Sequence, residues 1–241
     1  MKITFIGSSH GVPEPNRKCT CIMIEAGSNV YFVDMGTSAI DGLRARNIPI
    51  DAVKGIFITH MHGDHTNGLI QFIDLITWYF TSCDPVVCLP RLEAARIIDE
   101  WLKLTMNEDE KDIRYLQTKA GVVFDDGVLK VTAIPTKHAH DAFAYLVEAD
   151  GKKMLYTGDL ANPKFDFPVA GLEADPDIVI CESAHFPATD YAEVFDKYKP
   201  KQVCFTHYSD HFLGSVLTMC KELNDKGIPA LRAADNFEFN V

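Results

Sequence analysis

Apolar positions along this chain follow two rhythms, one of period two and one near 3.6, and the switches between them mark the expected elements. Lys2–Gly7, Cys21–Ala26 and Asn29–Asp34 are short runs rich in Ile, Val, Phe and Tyr. Gly27-Ser28 between the last two suits a tight hairpin turn, so the chain opens as a meander on a sheet. A further apolar run, Val53–Thr59, is followed by Leu69, Ile70, Phe72, Ile73, Ile76 and Trp78 at helical spacing, and Arg91–Leu104 predicts a second amphipathic helix. The aromatic residues of Gln71–Phe80 read as core, and the acidic run Asn107–Asp112 as a solvated connection. The second half predicts strands over Leu129–Ile134, Phe143–Glu148, Met154–Thr157, Ile178–Cys181, Gln202–Thr206 and Asn236–Phe239, with Asp150-Gly151 as a hairpin signal. Helices are expected over Tyr191–Tyr198 and Ser215–Lys226, the latter ended by Gly227 with Pro229 beyond it. No linker or shift in composition interrupts this mixture, and a single α/β domain over residues 1–241 is expected.

Composition narrows the setting. Hydrophobic residues make up 47% of the 241 positions and charged residues 24%, enough apolar material for a substantial core. The formal charge of −11 argues against long nucleic acid, whose affinity depends on Lys and Arg neutralising phosphates. Met1–Gly7 lacks the apolar h-region of a secretory signal and reads as a first strand. No stretch approaches the roughly 18 uninterrupted apolar residues of a spanning helix, so no membrane partner is expected. Seven irregularly spaced cysteines resemble thiols of a reducing compartment, and a cytoplasmic location follows as the expectation. Cys19-Thr20-Cys21 reads as packed side chains rather than a metal site. Oligomeric state is open, a homodimer included.

The densest chemistry lies at His60-x-His62-x-Asp64-His65, on what the pattern predicts to be a strand-to-helix loop. Two imidazoles two positions apart can converge on one ion while the next Asp and His face a second. Imidazole nitrogen and carboxylate oxygen suit divalent zinc, manganese or iron, and the absence of thiolates argues against a closed structural zinc. Four ligand-type residues within six positions exceed what an ordinary polar turn supplies.

Thr59-His60-Met61-His62-Gly63-Asp64-His65 resembles the signature of the metallo-β-lactamase superfamily, which implies a four-layer αββα sandwich with two metals at one edge of its central sheets. The resemblance also implies distant ligands. Thr136-Lys137-His138 stands where the family places the third His of the first metal site, with His140 as competitor and His138 preferred. Tyr156-Thr157-Gly158-Asp159 resembles the strand-end Gly-Asp whose carboxylate bridges both metals, and Phe205-Thr206-His207 the final His of the second site. By this carry-over one metal is held by His60, His62 and His138, the other by Asp64, His65 and His207, with Asp159 spanning the pair. Two divalent ions, zinc expected and manganese or iron compatible, would then supply a bridging hydroxide as nucleophile, which Asp64 both ligates and orients.

Other candidates gather around this set. Ile180-Cys181-Glu182-Ser183-Ala184-His185 should emerge at the same edge, with His185 placed to protonate a leaving group and Glu182 to orient a liganding imidazole. His211 in Ser209-Asp210-His211-Phe212 and His10 in Ser8-Ser9-His10-Gly11 are further candidates for the acid or for substrate contact.

The motifs are most similar to those of the ribonuclease Z and small phosphodiesterase branch. Ribonuclease Z enzymes usually insert a tRNA-gripping arm between the third His and the Gly-Asp, whereas only a hairpin fits between His138 and Asp159. The expected activity is therefore hydrolysis of a small or cyclic phosphodiester. A tRNA 3′ endonuclease, a lactone, thioester or β-lactam hydrolase, and a non-catalytic metal-binding module remain as alternatives. A flavodiiron-type protein would carry Glu in place of His62 and an additional flavodoxin domain, for which the chain has no length.

Overall fold

The computed structural model describes residues 1–105 and 111–241. Its first half runs β1 (Lys2–Gly7), β2 (Cys21–Ala26), β3 (Asn29–Met35), α1 (Ala39–Ala45), β4 (Val53–Phe57), α2 (Gly63–Trp78), β5 (Val86–Leu89), α3 (Glu93–Leu104) and β6 (Arg114–Gln117). The second half runs β7 (Gly121–Asp125), β8 (Leu129–Thr136), β9 (Ala142–Ala149), β10 (Lys152–Tyr156), α4 (Pro163–Asp166), α5 (Val169–Glu173) and β11 (Ile178–Ser183). It closes with α6 (Ala192–Tyr198), β12 (Val203–Tyr208), α7 (Leu213–Asp225), β13 (Ala230–Arg232) and β14 (Glu238–Asn240).

Two sheets form, in the orders β14-β1-β2-β3-β4-β5-β6 and β13-β12-β11-β10-β9-β8-β7. Connection length dictates direction within each. Two-residue turns at Gly27-Ser28 and Asp150-Gly151 leave β2/β3 and β9/β10 antiparallel, and Asp150 (φ 54°) and Gly151 (φ 69°) carry the paired positive φ of a type I′ turn. Crossovers through helices make β3/β4, β4/β5, β10/β11 and β11/β12 parallel. Strands of both halves thus discharge their C-terminal ends at one edge, where α/β sheets generally bind ligands.

Each sheet is covered on both faces, so alternate residues of one strand serve different cores. Tyr31, Val33 and Phe57 point between the sheets to meet Tyr145, Tyr156 and Ile180. Phe32 and Ile56 face outward onto Leu69, Phe72 and Ile76 of α2 and Ile98 of α3. Leu155, Val179 and Phe205 face the other way, onto Leu172, Tyr191, Phe195 and Met219. The layers are therefore helix, sheet, sheet, helix: the αββα sandwich.

Several boundaries differ from expectation. β5, β6, β7 and β13 are only three to five residues long, and α1, α4 and α5 at most seven, too short for hydrophobic period to reveal. α2 begins at Gly63, so Asp64 and His65 lie in the first helical turn rather than on a loop. An acidic side chain is favoured there by the free N–H groups and positive end of the helix dipole. Cys21 is buried in the outer core and all seven cysteines are unpaired thiols. The expected acidic connection lies outside the described residues over 107–110. Among the described residues no helix is long and apolar enough to cross a membrane.

Candidate metal centre

Four chain segments converge at the shared edge, and local chemistry fixes each. Asp34, fully buried in β3 with φ 56°, accepts hydrogen bonds from the Thr59 backbone N–H (2.8 Å) and from the Thr59 hydroxyl (2.9 and 3.0 Å to its two oxygens). This anchors the turn that carries His60. The same carboxylate lies 2.8 Å from His65 Nδ1, which places a proton on Nδ1 and turns Nε2 into the site; burial disfavours the charged ring, but Asp159 and Asp34 raise it well above its ordinary value, so an ion held there would take the place of the Nε2 proton. After β10, Gly158 adopts φ 57°, and a Cβ there would stand 3.0 Å from the Phe143 carbonyl and 3.2 Å from Thr59. Only glycine turns the chain tightly enough to deliver Asp159. His207 itself takes φ 48°, a costly conformation for a side chain of this size, and its N–H is held by the Ser8 carbonyl at 2.9 Å.

The donor atoms fall into two sets. In the first, His62 Nδ1 lies 3.0 Å from His60 Nε2 and 3.3 Å from His138 Nε2, and Asp159 Oδ2 lies 3.7 and 3.6 Å from the latter two. In the second, Asp64 Oδ2 lies 3.4 Å from His65 Nε2 and 3.6 Å from His207 Nε2, and Asp159 Oδ1 lies 3.5 and 3.3 Å from them. Ligands bound tetrahedrally at about 2.0–2.1 Å are about 3.3 Å apart, so either set is spaced to surround one ion. Asp159 offers one oxygen to each.

Burial and charge agree with that reading of the donors. His65 Nε2 and Asp159 Oδ1 are buried without a hydrogen-bond partner, which a cation between them would resolve. Burial pushes His60 down to about 2, with the neighbouring His65 charge adding to the effect, and burial lowers His138 as well, so both rings are neutral and able to donate a lone pair. Asp159 is held well below the usual carboxylate range: burial opposes ionisation, but the His207 and His65 rings beside it prevail. The donors are nitrogen and oxygen, compatible with zinc, manganese or iron.

Around these sets the other candidates separate. His138 joins the first set, whereas the His140 side chain is 89% exposed and turned to Asp141 at 2.6 Å. His185 Nε2 lies 3.8 Å from Asp159 Oδ2. Glu182, expected to orient a liganding imidazole, instead accepts from the Leu160 and Ala184 N–H groups (2.8 Å each) and from His185 Nδ1 at 3.0 Å. Burial disfavours the charged His185 ring, but the hydrogen bond and charge of Glu182 outweigh it and raise the ring to about 9. His10 binds Glu14 at 3.2 Å, and His211 is exposed against Phe212; neither joins a ligand-type cluster among the described residues. Asp34 was the residue missed. Its one signal is an acid placed among Tyr31, Phe32, Val33 and Met35, where a strand otherwise buries only apolar side chains.

A sandwich of this topology carrying a His/Asp cluster at its strand ends defines a metallo-β-lactamase-fold protein with a candidate metal site. The chain belongs to the family described as anti-Pycsar protein Apyc1, whose model matches residues 1–214. Among curated relatives, ribonuclease Z of Listeria innocua is 29% identical over 175 residues, covering 68% of this chain and 57% of the relative. Ribonuclease BN of Cronobacter sakazakii is 28% identical over 156 residues, 63% of this chain and 51% of the relative. The chain thus spans about half the length of the curated relatives it matches. Human tRNase Z, short form, superposes with a TM-score of 0.76 at 18% identity, covering 100% of this chain and 99% of that one. A diphosphatase from the PhnP family gives 0.72 at 17% identity, covering 100% and 97%.

Proposed function

We propose that this chain is a dinuclear metal-dependent hydrolase, most specifically a phosphodiesterase acting on a small or cyclic phosphodiester. His60, His62 and His138 would hold one divalent ion, Asp64, His65 and His207 the other, and Asp159 both; zinc is the expected metal. The observation that carries the reading is the split of the Asp159 carboxylate between two complete donor sets. Ions bound there supply Lewis acidity toward substrate oxygen and lower the pKa of water into the neutral range.

The residues of the chain do the rest. Asp64 would orient the hydroxide for attack as the new P–O bond forms. His185, held by Glu182 with Nε2 facing the site, donates its proton to the leaving oxygen as the old P–O bond breaks. Relatives named for ribonuclease and diphosphatase activity act at phosphorus, which favours a phosphoester over a lactone or β-lactam. The tRNA reading draws support from the same relatives. Against it stand the net charge of −11 and a segment between His138 and Asp159 filled by the β9–β10 hairpin.

The test is a substrate panel on metal-reconstituted protein: bis-aryl phosphodiesters, cyclic nucleotides, precursor tRNA, lactones and β-lactams. Phosphodiester turnover abolished by Asp159→Ala is the expected result. Lactone cleavage without phosphodiester cleavage would overturn the assignment.

A further inference from the structure

Outside the first turn of α2, the described residues bury four carboxylates: Asp34, Asp159, Glu182 and Asp166. Asp34 serves His65, Asp159 the donor sets and Glu182 His185, which leaves Asp166. It lies in the four-residue α4, 6% exposed, and among the described residues no Lys, Arg or His side chain pairs with it. Backbone N–H groups take its two oxygens instead: Oδ1 accepts from Lys137 at 2.6 Å and Oδ2 from Ala161 at 2.8 Å. Burying a carboxylate without a counter-ion is costly, and these two charge-assisted hydrogen bonds offset the cost.

Both donors belong to segments that carry members of the first donor set. Lys137 directly precedes His138, and Ala161 follows Asp159 by two residues. Asp159 has further anchors in the tight turn at Gly158 and in the Leu160 N–H, bonded to Glu182 at 2.8 Å. The His138 segment has fewer. It loops from the end of β8 at Thr136 to the start of β9 at Ala142. Of the backbone N–H groups of Lys137 to Asp141, only that of Lys137 has a hydrogen-bond partner among the described residues. The Lys137 ammonium donates to the Phe165 carbonyl at 3.2 Å, again in α4, while the Thr136 hydroxyl reaches the Asp159 carbonyl only at 3.4 Å. With Lys137 pinned in this way, His138 Nε2 stands 3.3 Å from His62 Nδ1 and 3.6 Å from Asp159 Oδ2, and His140 is left in solvent.

We propose that Asp166 is a positioning residue for the first donor set, a bracket that fixes His138 against Asp159; the inference rests on the dinuclear reading above. The carboxylate joins neither donor set. It acts through the two backbone segments it holds, so that His138 stands in place before an ion arrives. A ligand that must instead be ordered during binding charges its lost conformational freedom to metal affinity.

Asp166→Asn tests the bracket, because asparagine keeps the size and one accepting oxygen but turns an NH₂ toward one of the two N–H donors. Zinc-loaded wild type and variant are dialysed against graded chelator and the zinc per chain is counted, while melts of the metal-free proteins read stability separately. One ion of the variant is expected to leave at a chelator concentration about tenfold lower than in wild type. In a His138→Ala background, which already lacks that ion, adding Asp166→Asn should move the remaining ion by less than about twofold. Both ions held as in wild type, or both weakened equally, would make Asp166 a merely structural part of α4 and overturn the proposal. Amide exchange in metal-free wild type gives a test that needs no variant: the Lys137 and Ala161 N–H groups should exchange slowly although both lie in loops. Fast exchange at either overturns the bracket. If wild type retains no zinc, the dinuclear reading fails, and the same exchange measurement decides whether Asp166 still ties the two segments together.

Discussion

Replacing Asp34 by asparagine is expected to empty one half of the metal centre and spare the other. The asparagine side chain keeps an oxygen for the Thr59 N–H and tolerates the left-handed backbone at this position, so the fold is retained. The change falls on His65. Its Nδ1, 2.8 Å from an Asp34 oxygen, would face an amide NH₂ or lose the charge of its acceptor, and the ring would then favour the tautomer protonated on Nε2. That removes the lone pair aimed between Asp64 and Asp159. Loss of such a supporting carboxylate costs roughly 10–100-fold in metal affinity, about 1.4–2.7 kcal/mol. The first donor set takes no ligand atom from His65 and is tied to Asp34 only through the Thr59 hydroxyl, which keeps an acceptor oxygen in the variant, so its affinity is expected to change much less. Dialysis against graded chelator, followed by elemental analysis, reads the two sites separately: wild type should lose its ions at similar chelator strength, Asp34→Asn one of them far earlier. Retention of both ions at wild-type affinity would refute the tautomer argument, and loss of both together would refute the independence of the sets.

His138→Ala should lose one ion and most activity while His140→Ala behaves as wild type, checked by metal content and turnover, because only His138 enters a donor set. Glu182→Gln removes the charge that holds His185 high, so the alkaline limb of the kcat–pH profile should move to lower pH; an unmoved limb would exclude His185 as the acid. Gly158→Ala places a Cβ against the Phe143 carbonyl at positive φ, and should cost about 1–3 kcal/mol in denaturant unfolding even before metal is considered.

Much of the fold was legible because both halves repeat one device: a strand covered on both faces, apolar at nearly every position, followed by a helix or a glycine turn. β1, β2, β3 and the β9–β10 hairpin were readable from run length and turn residues alone. Short strands such as β6, Arg114–Gln117, escaped because four residues carry no period and most of this strand is exposed at a sheet edge. In the centre, His60, His62, Asp64 and His65 were legible as a local cluster. His138, Asp159 and His207 entered through resemblance to known motifs, since nothing in their spacing along the chain says that they meet.

Sequence by itself determined which groups are available: neutral-capable imidazoles and carboxylates at strand ends, a glycine before Asp159, thiols kept out of the motif, and too little chain between His138 and Asp159 for a long arm. Tertiary structure alone placed His138 beside His62 and His140 in solvent, turned Glu182 toward His185 instead of a liganding imidazole, left His211 outside the clusters, and brought Asp34 under His65 from 31 residues away. The reason is physical. Local sequence sets backbone preferences and the chemistry of each side chain, but the direction in which a donor lone pair points depends on hydrogen bonds made after the two sheets have packed.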